Sequence, residues 1–252
     1  MNFNYKKAPS GAFYFYEMKK YITLIFFVFI SSCKIDSEIT ITKVKGSPEF
    51  PNAKIKLNTP ILVDNGYQFS FDVNQYELGM QTPKDFDYQL ANSAKGQHIH
   101  FIVNNGPYSA HYEDTFTKQF EDSSNVILAF LSRSYHESVK NSNAYILTQL
   151  GEDEIDLNKE FLFYSRPKGT YSGIDTENLL LDFYLVNTEI SNTGNKVRAT
   201  INNTQFIIDE WVPYNIKGLP KGEIKIKLEL IDTFGNLIET PFNPSERTVI
   251  LE

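Results

Sequence analysis

Three histidines are the residues best placed to do chemistry. His98 and His100 alternate in the run His98-Ile99-His100-Phe101, and His111 follows an Asn105-Gly106 turn signal. Residues two apart on a strand point to the same side, so His-x-His presents two imidazoles to one face. With Asn105-Gly106 as the two-residue loop of a hairpin, His100 stands directly across from His111. Cross-strand neighbours lie about 4.5–5.5 Å apart at Cβ. Three neutral imidazoles so gathered form a ligand set for zinc or copper. The plainer expectation is three polar strand residues with ordinary hydrogen bonds, because no cysteine or carboxylate supports the set.

Other chemistry is thinner. His136 lies in Ser132-Arg133-Ser134-Tyr135-His136, but neither serine sits in a Gly-x-Ser-x-Gly elbow. Glycine-rich phosphate loops are absent. The acidic run Glu152-Asp153-Glu154-Ile155-Asp156 reads as a solvated linker before it reads as a calcium site. Trp211 offers a ring that could stack on a sugar, although packing against a strand edge is its commoner use. No catalytic residue is assigned, and the chain is expected to be non-enzymatic.

The elements that must hold these residues are strands. Phe69, Phe71 and Val73 alternate with polar residues, as do Val197, Ala199 and Ile201, and Ile224, Ile226, Leu228 and Leu230. The aromatic content, 14%, also suits β structure. The chain further repeats itself. An offset of 98 places Val103-Asn104-Asn105 on Ile201-Asn202-Asn203, and Val126, Leu128 and Phe130 on Ile224, Ile226 and Leu228. Upstream the offset grows to 112, which puts a 14-residue insertion within Tyr76–Gly96 of the first copy. The expected architecture is all-β: two tandem immunoglobulin-like β-sandwiches, over 51–152 and 159–252.

Each copy serves as a control for the other. At the positions of His98, His100 and His111 the second copy holds Lys196, Arg198 and Asp209, an ordinary solvated face. On the next strand the second copy has Lys225, Lys227 and Glu229 where the first has Ile127, Ala129 and Leu131. The first copy is therefore expected to carry an apolar outer face, with His136 beside it, and Trp211 of the second copy is a further candidate. Such a face has a cover or a partner. The insertion, the second domain and a ligand are the candidates.

Residues 18–33 set the compartment. Lys19 and Lys20 precede a short apolar run, Tyr21–Ile30, and then small residues and the only cysteine. That order is the grammar of a secretion signal, and the run is shorter than the roughly 20 apolar residues that span a bilayer. Ile30-Ser31-Ser32-Cys33 resembles the lipobox of bacterial lipoproteins, in which cleavage precedes the cysteine and the cysteine carries lipid. Residues 1–17 fit an over-extended start upstream of Met18, and 34–50 a tether with one early strand at Ile39-Thr40-Ile41. The whole pattern resembles envelope lipoproteins of Bacteroidota-type bacteria with tandem immunoglobulin-like domains. The resemblance implies a lipid-anchored protein of the cell envelope, periplasm-facing or surface-exposed, and implies no activity. A formal charge of -7 argues against nucleic acid as a partner. The leading expectation is a membrane-anchored binding or scaffold protein with an envelope protein as its partner. The alternatives are a zinc- or copper-binding protein using His98, His100 and His111, and a glycan-binding module.

Overall fold

The structure, a computed structural model, describes Met1 and residues 38–152 and 155–252; the signal-like segment and Cys33 lie outside the described residues. The chain forms β1 (Thr40–Lys43), β2 (Lys54–Leu57), β3 (Ile61–Val63), β4 (Gly66–Asn74), β5 (His98–Val103), β6 (Ser109–His111), β7 (Thr115–Lys118), β8 (Asn125–Ser132) and β9 (Tyr145–Leu150). After the linker come β10 (Phe161–Arg166), β11 (Gly169–Tyr171), β12 (Leu179–Val186), β13 (Lys196–Ile201), β14 (Thr204–Ile208), β15 (Tyr214–Lys217), β16 (Gly222–Ile231) and β17 (Ser245–Leu251).

In the first half β4 pairs with β2, β3 and β7, facing a second sheet of order β6-β5-β8-β9. The second half repeats this as β15-β12-β10 facing β14-β13-β16-β17. Both are immunoglobulin-like sandwiches in which the chain crosses between the two sheets, as from β4 to β5 and from β12 to β13. Alternation builds each core. Phe69 and Phe71 of β4 meet Ile99 and Phe101 of β5 and Ile127, Ala129 and Leu131 of β8. Leu181, Phe183 and Leu185 of β12 meet Val197, Ala199 and Ile201 of β13 and Ile224, Ile226 and Leu228 of β16.

Three expectations are corrected here. The first is the tether. Its early strand, β1, hydrogen-bonds to β15 of the second sandwich, Thr40 opposite Lys217 and Lys43 opposite Tyr214. Ile39 and Ile41 pack on the second core, so β1 covers what would be an exposed edge strand.

The second is the hairpin. Asn104 and Asn105 both have positive φ and form the turn, with the Gly106 N–H donating to Val103 O. Beyond it the register is His100 opposite Ala110 and Ile99 opposite His111. A slip of one residue moves a side chain to the other face of the sheet. His111 therefore points into the first core, its ring stacked on Phe116 at 3.4 Å. It does not join His98 and His100.

The third is the apolar outer face. On β8, Ala129 pairs with Phe101, whereas on β16 Leu228 pairs with Ala199, so the offset between copies is 99 here and not 98. Ile127, Ala129 and Leu131 are consequently core residues. The outward apolar residues are Val126, Leu128 and Phe130, at the positions of Lys225, Lys227 and Glu229. Their cover is the second sandwich: Phe161, Phe163, Tyr184 and Val186 pack against them and against Ile102 and Tyr108. Residues 37–252 form one compact unit.

Candidate metal centre

His98 and His100 stand on β5, fully buried, on the face turned toward the second sandwich. The third imidazole comes from His136, in the turn that follows β8. There the Arg133 N–H donates to Glu137 O and the His136 N–H to Arg133 O, and His136 sits at φ 69. The second copy makes the same turn, with Asp232 N–H donating to Asn236 O and Gly235 N–H to Asp232 O. Gly235, at φ 85, occupies the place of His136. The first sandwich thus holds a histidine in a left-handed conformation where its twin uses glycine. Strain of that kind persists where the surroundings impose it and clusters at functional sites.

The surroundings do impose it. Arg133 pairs with Glu137 at 2.8 Å, both side chains buried, and also donates to Pro48 O. The insertion clamps the turn from the other side. The Ser134 N–H donates to Thr82 Oγ1 at 3.0 Å, the Ser93 N–H to Ser134 O at 2.8 Å, and Leu90 packs with Tyr135 and Leu180. Ser134 is therefore a structural residue. Ser138 and Lys140, just beyond, bind Asp182 of β12.

The ligand atoms of His98, His100 and His136 lie within 4.8 Å of one another. Nε2 of His98 is 2.9 Å from Nε2 of His100 and 3.1 Å from Nδ1 of His136. The outward nitrogens are engaged. His98 Nδ1 faces Gly96 O at 2.8 Å, which only a donor can satisfy, so its Nε2 lone pair points inward. His100 Nδ1 meets Ser165 Oγ of the second sandwich at 3.2 Å, and a hydroxyl serves either tautomer. An imidazole whose far nitrogen is held by a carbonyl or hydroxyl is the usual metal-ligand arrangement. In the metal-free state Ser165 can donate to His100, His100 to His98, and Tyr108 to His136, which leaves the lone pairs of His98 Nε2 and His136 Nδ1 facing each other at 3.1 Å.

Burial keeps these rings neutral, the form that binds metal. It pushes His98 down to about 4, with Arg166 adding to the effect. Burial also holds His100 and His136 well below the ordinary histidine range, followed by the neighbouring imidazoles and cations. His111 is likewise pushed down to about 4, chiefly by burial. Unfolded histidine titrates near 6.5. The stability carried by the buried neutral rings is therefore full above about pH 6.5 and is lost as pH falls toward the folded values. For fully buried His98 the slope is about 1.4 kcal/mol per pH unit. Urea unfolding of the metal-free protein should show a lower midpoint at pH 5 than at pH 7.5. An unchanged midpoint would mean the rings are not desolvated.

Of the other candidates, Trp211 is half-buried. Its indole N–H donates to Phe183 O at 2.9 Å and its ring meets Tyr184 edge-on, so that N–H is spent inside the fold. Ser132 Oγ lies 3.1 Å from His100 Nε2. Arg198, the counterpart of His100, forms a two-pronged ion pair with Glu229 instead.

No known family pattern and no curated protein matches this chain. Among solved structures it is similar to the fibronectin(III)-like modules of Clostridium thermocellum CbhA, at 10% identity over 79% of this chain and 94% of that one, with a TM-score of 0.28. It is also similar to the central fibronectin-III array of RIM-binding protein, at 12% identity over 82% and 71%, TM-score 0.27. A third is the pair of tandem V-type regions of VCBP3, a v-region-containing chitin binding protein, at 8% identity over 86% and 100%, TM-score 0.23. Likeness at this level transfers no activity.

Proposed function

We propose that this protein is a metal-binding protein of the cell envelope, holding one zinc or copper ion on His98, His100 and His136. One observation carries the reading: three neutral imidazoles, two fully buried and the third partly so, converge on one point, in the sandwich whose twin has none. The purified protein should take up one equivalent of zinc or copper at pH 7.5 in equilibrium dialysis. It should keep the metal at pH 5 and lose it only as pH falls to about 4 and below, where the imidazoles protonate. The His98→Ala/His100→Ala variant should take up none. Equal uptake by wild type and variant would sink the assignment.

The location is part of the same proposal, supported by the sequence of residues 18–33. Cys33 carries lipid and the membrane is the partner. Because β1 starts at Thr40, seven residues beyond Cys33, the β block hangs by its second sandwich within about 25 Å of the lipid. Cys33→Ser should release the protein from membrane fractions. Continued membrane association of that variant would count against the anchor.

A further inference from the structure

We propose that the Tyr108 hydroxyl oxygen is the fourth ligand of this centre, closing it as a site of three imidazoles and one phenolate; this rests on the metal-binding reading above. Three geometric observations point there. First, the Tyr108 hydroxyl lies 3.2 Å from His136 Nδ1, close to the 2.9 and 3.1 Å that separate the imidazole nitrogens. Second, its ring cannot swing away: it is stacked on His100 with centroids 3.6 Å apart and planes 11° from parallel, and the residue is buried.

Third, two cations of the second sandwich lie against the same ring without a counter-charge. Lys168 Nζ stands 4.0 Å from the ring centre and Arg166 Cζ 5.3 Å. Arg166 is only 7% exposed; it donates to the Tyr171 hydroxyl, and its Nε has no partner. Among the described residues neither Arg166 nor Lys168 makes an ion pair. Buried cations such as Arg166 are normally paired. Lys168 is half-buried and its ammonium donates to Tyr108 O at 2.6 Å, and a divalent metal placed beside these two cations needs negative charge close by. A phenolate supplies it. On metal binding the oxygen–metal bond forms, the O–H bond breaks, and the proton passes to solvent. The net charge of the loaded centre falls by one unit, the metal keeps its oxidation state, and both cations acquire an anionic neighbour.

Ser132 Oγ is the competing oxygen. As a neutral alcohol beside His100 it brings no charge, and it leaves Arg166 and Lys168 uncompensated. A centre with four protein ligands has no open position, which suits holding a metal rather than activating water on it.

The test is the visible spectrum of the full chain loaded with copper(II). Wild type should show a phenolate-to-copper charge-transfer band. Tyr108→Phe should keep one equivalent of copper on its three histidines, which also reports that it has folded, and should lose the band. Ser132→Ala should keep both. Copper bound by wild type without the band, or a band that survives in Tyr108→Phe, overturns the fourth ligand and leaves the histidine site standing. Absence of copper uptake by wild type overturns both.

Discussion

His136→Gly is expected to abolish metal uptake and to be more stable than His136→Ala by about 1 kcal/mol, a typical cost of a side chain in the left-handed region. The argument is the comparison of the two turns. His136 at φ 69 and Gly235 at φ 85 occupy the same place in the same hydrogen-bonded loop. Glycine there removes the strain and the imidazole together, whereas alanine removes only the imidazole. A purely structural histidine would make glycine the harmless change. A ligand makes both changes fatal to metal binding, although glycine is the more stable of the two. His111→Ala belongs in the same experiment. Its ring stacks on Phe116 inside the first core, so metal binding should persist. Loss of metal in His111→Ala with retention in His136→Gly would reverse the assignment of the third ligand.

Asp182→Ala should cost about 3–5 kcal/mol, the range for removing one partner of a buried ion pair. The carboxylate is fully buried. It accepts from the Ser138 N–H at 3.1 Å and the Ser138 hydroxyl at 3.1 Å, and it pairs with Lys140. It belongs to β12 of the second sandwich, whereas Ser138 and Lys140 continue the His136 turn of the first. Its removal leaves Lys140 largely buried without its partner and frees one side of that turn. Urea unfolding should show the loss, and metal affinity should fall with it. A variant within about 1 kcal/mol of wild type would show that the apolar interface alone holds the two sandwiches in register.

Local periodicity made much of this protein legible. The alternating runs at Phe69, Val197 and Ile224 became β4, β13 and β16 because a period of two is a property of each strand by itself. For the same reason His98 and His100 could be placed on one face without knowing what faces them. The weak repeat announced two sandwiches, and the insertion was visible as a change of offset.

What the chain did not disclose is everything that depends on counting across a turn or between sheets. Asn105-Gly106 as a two-residue loop and Asn104-Asn105-Gly106 as a three-residue loop both close a hairpin, and the second, which the strand register follows, moves His111 from the face of His98 and His100 to the core. The shift of offset from 98 to 99 between β5 and β8 exchanges the inner and outer faces of β8, so Ile127, Ala129 and Leu131 changed places with Val126, Leu128 and Phe130. His136 lies beyond a turn whose hand is set by Arg133, Glu137 and the insertion, not by its own residue type. β1 pairs with β15, far along the chain, because an exposed edge of the second sheet was open to it. The sequence by itself determined the strands and which side chains share a face. Only the tertiary structure decided which faces meet, since a single residue of register inverts a strand and no local pattern records that residue.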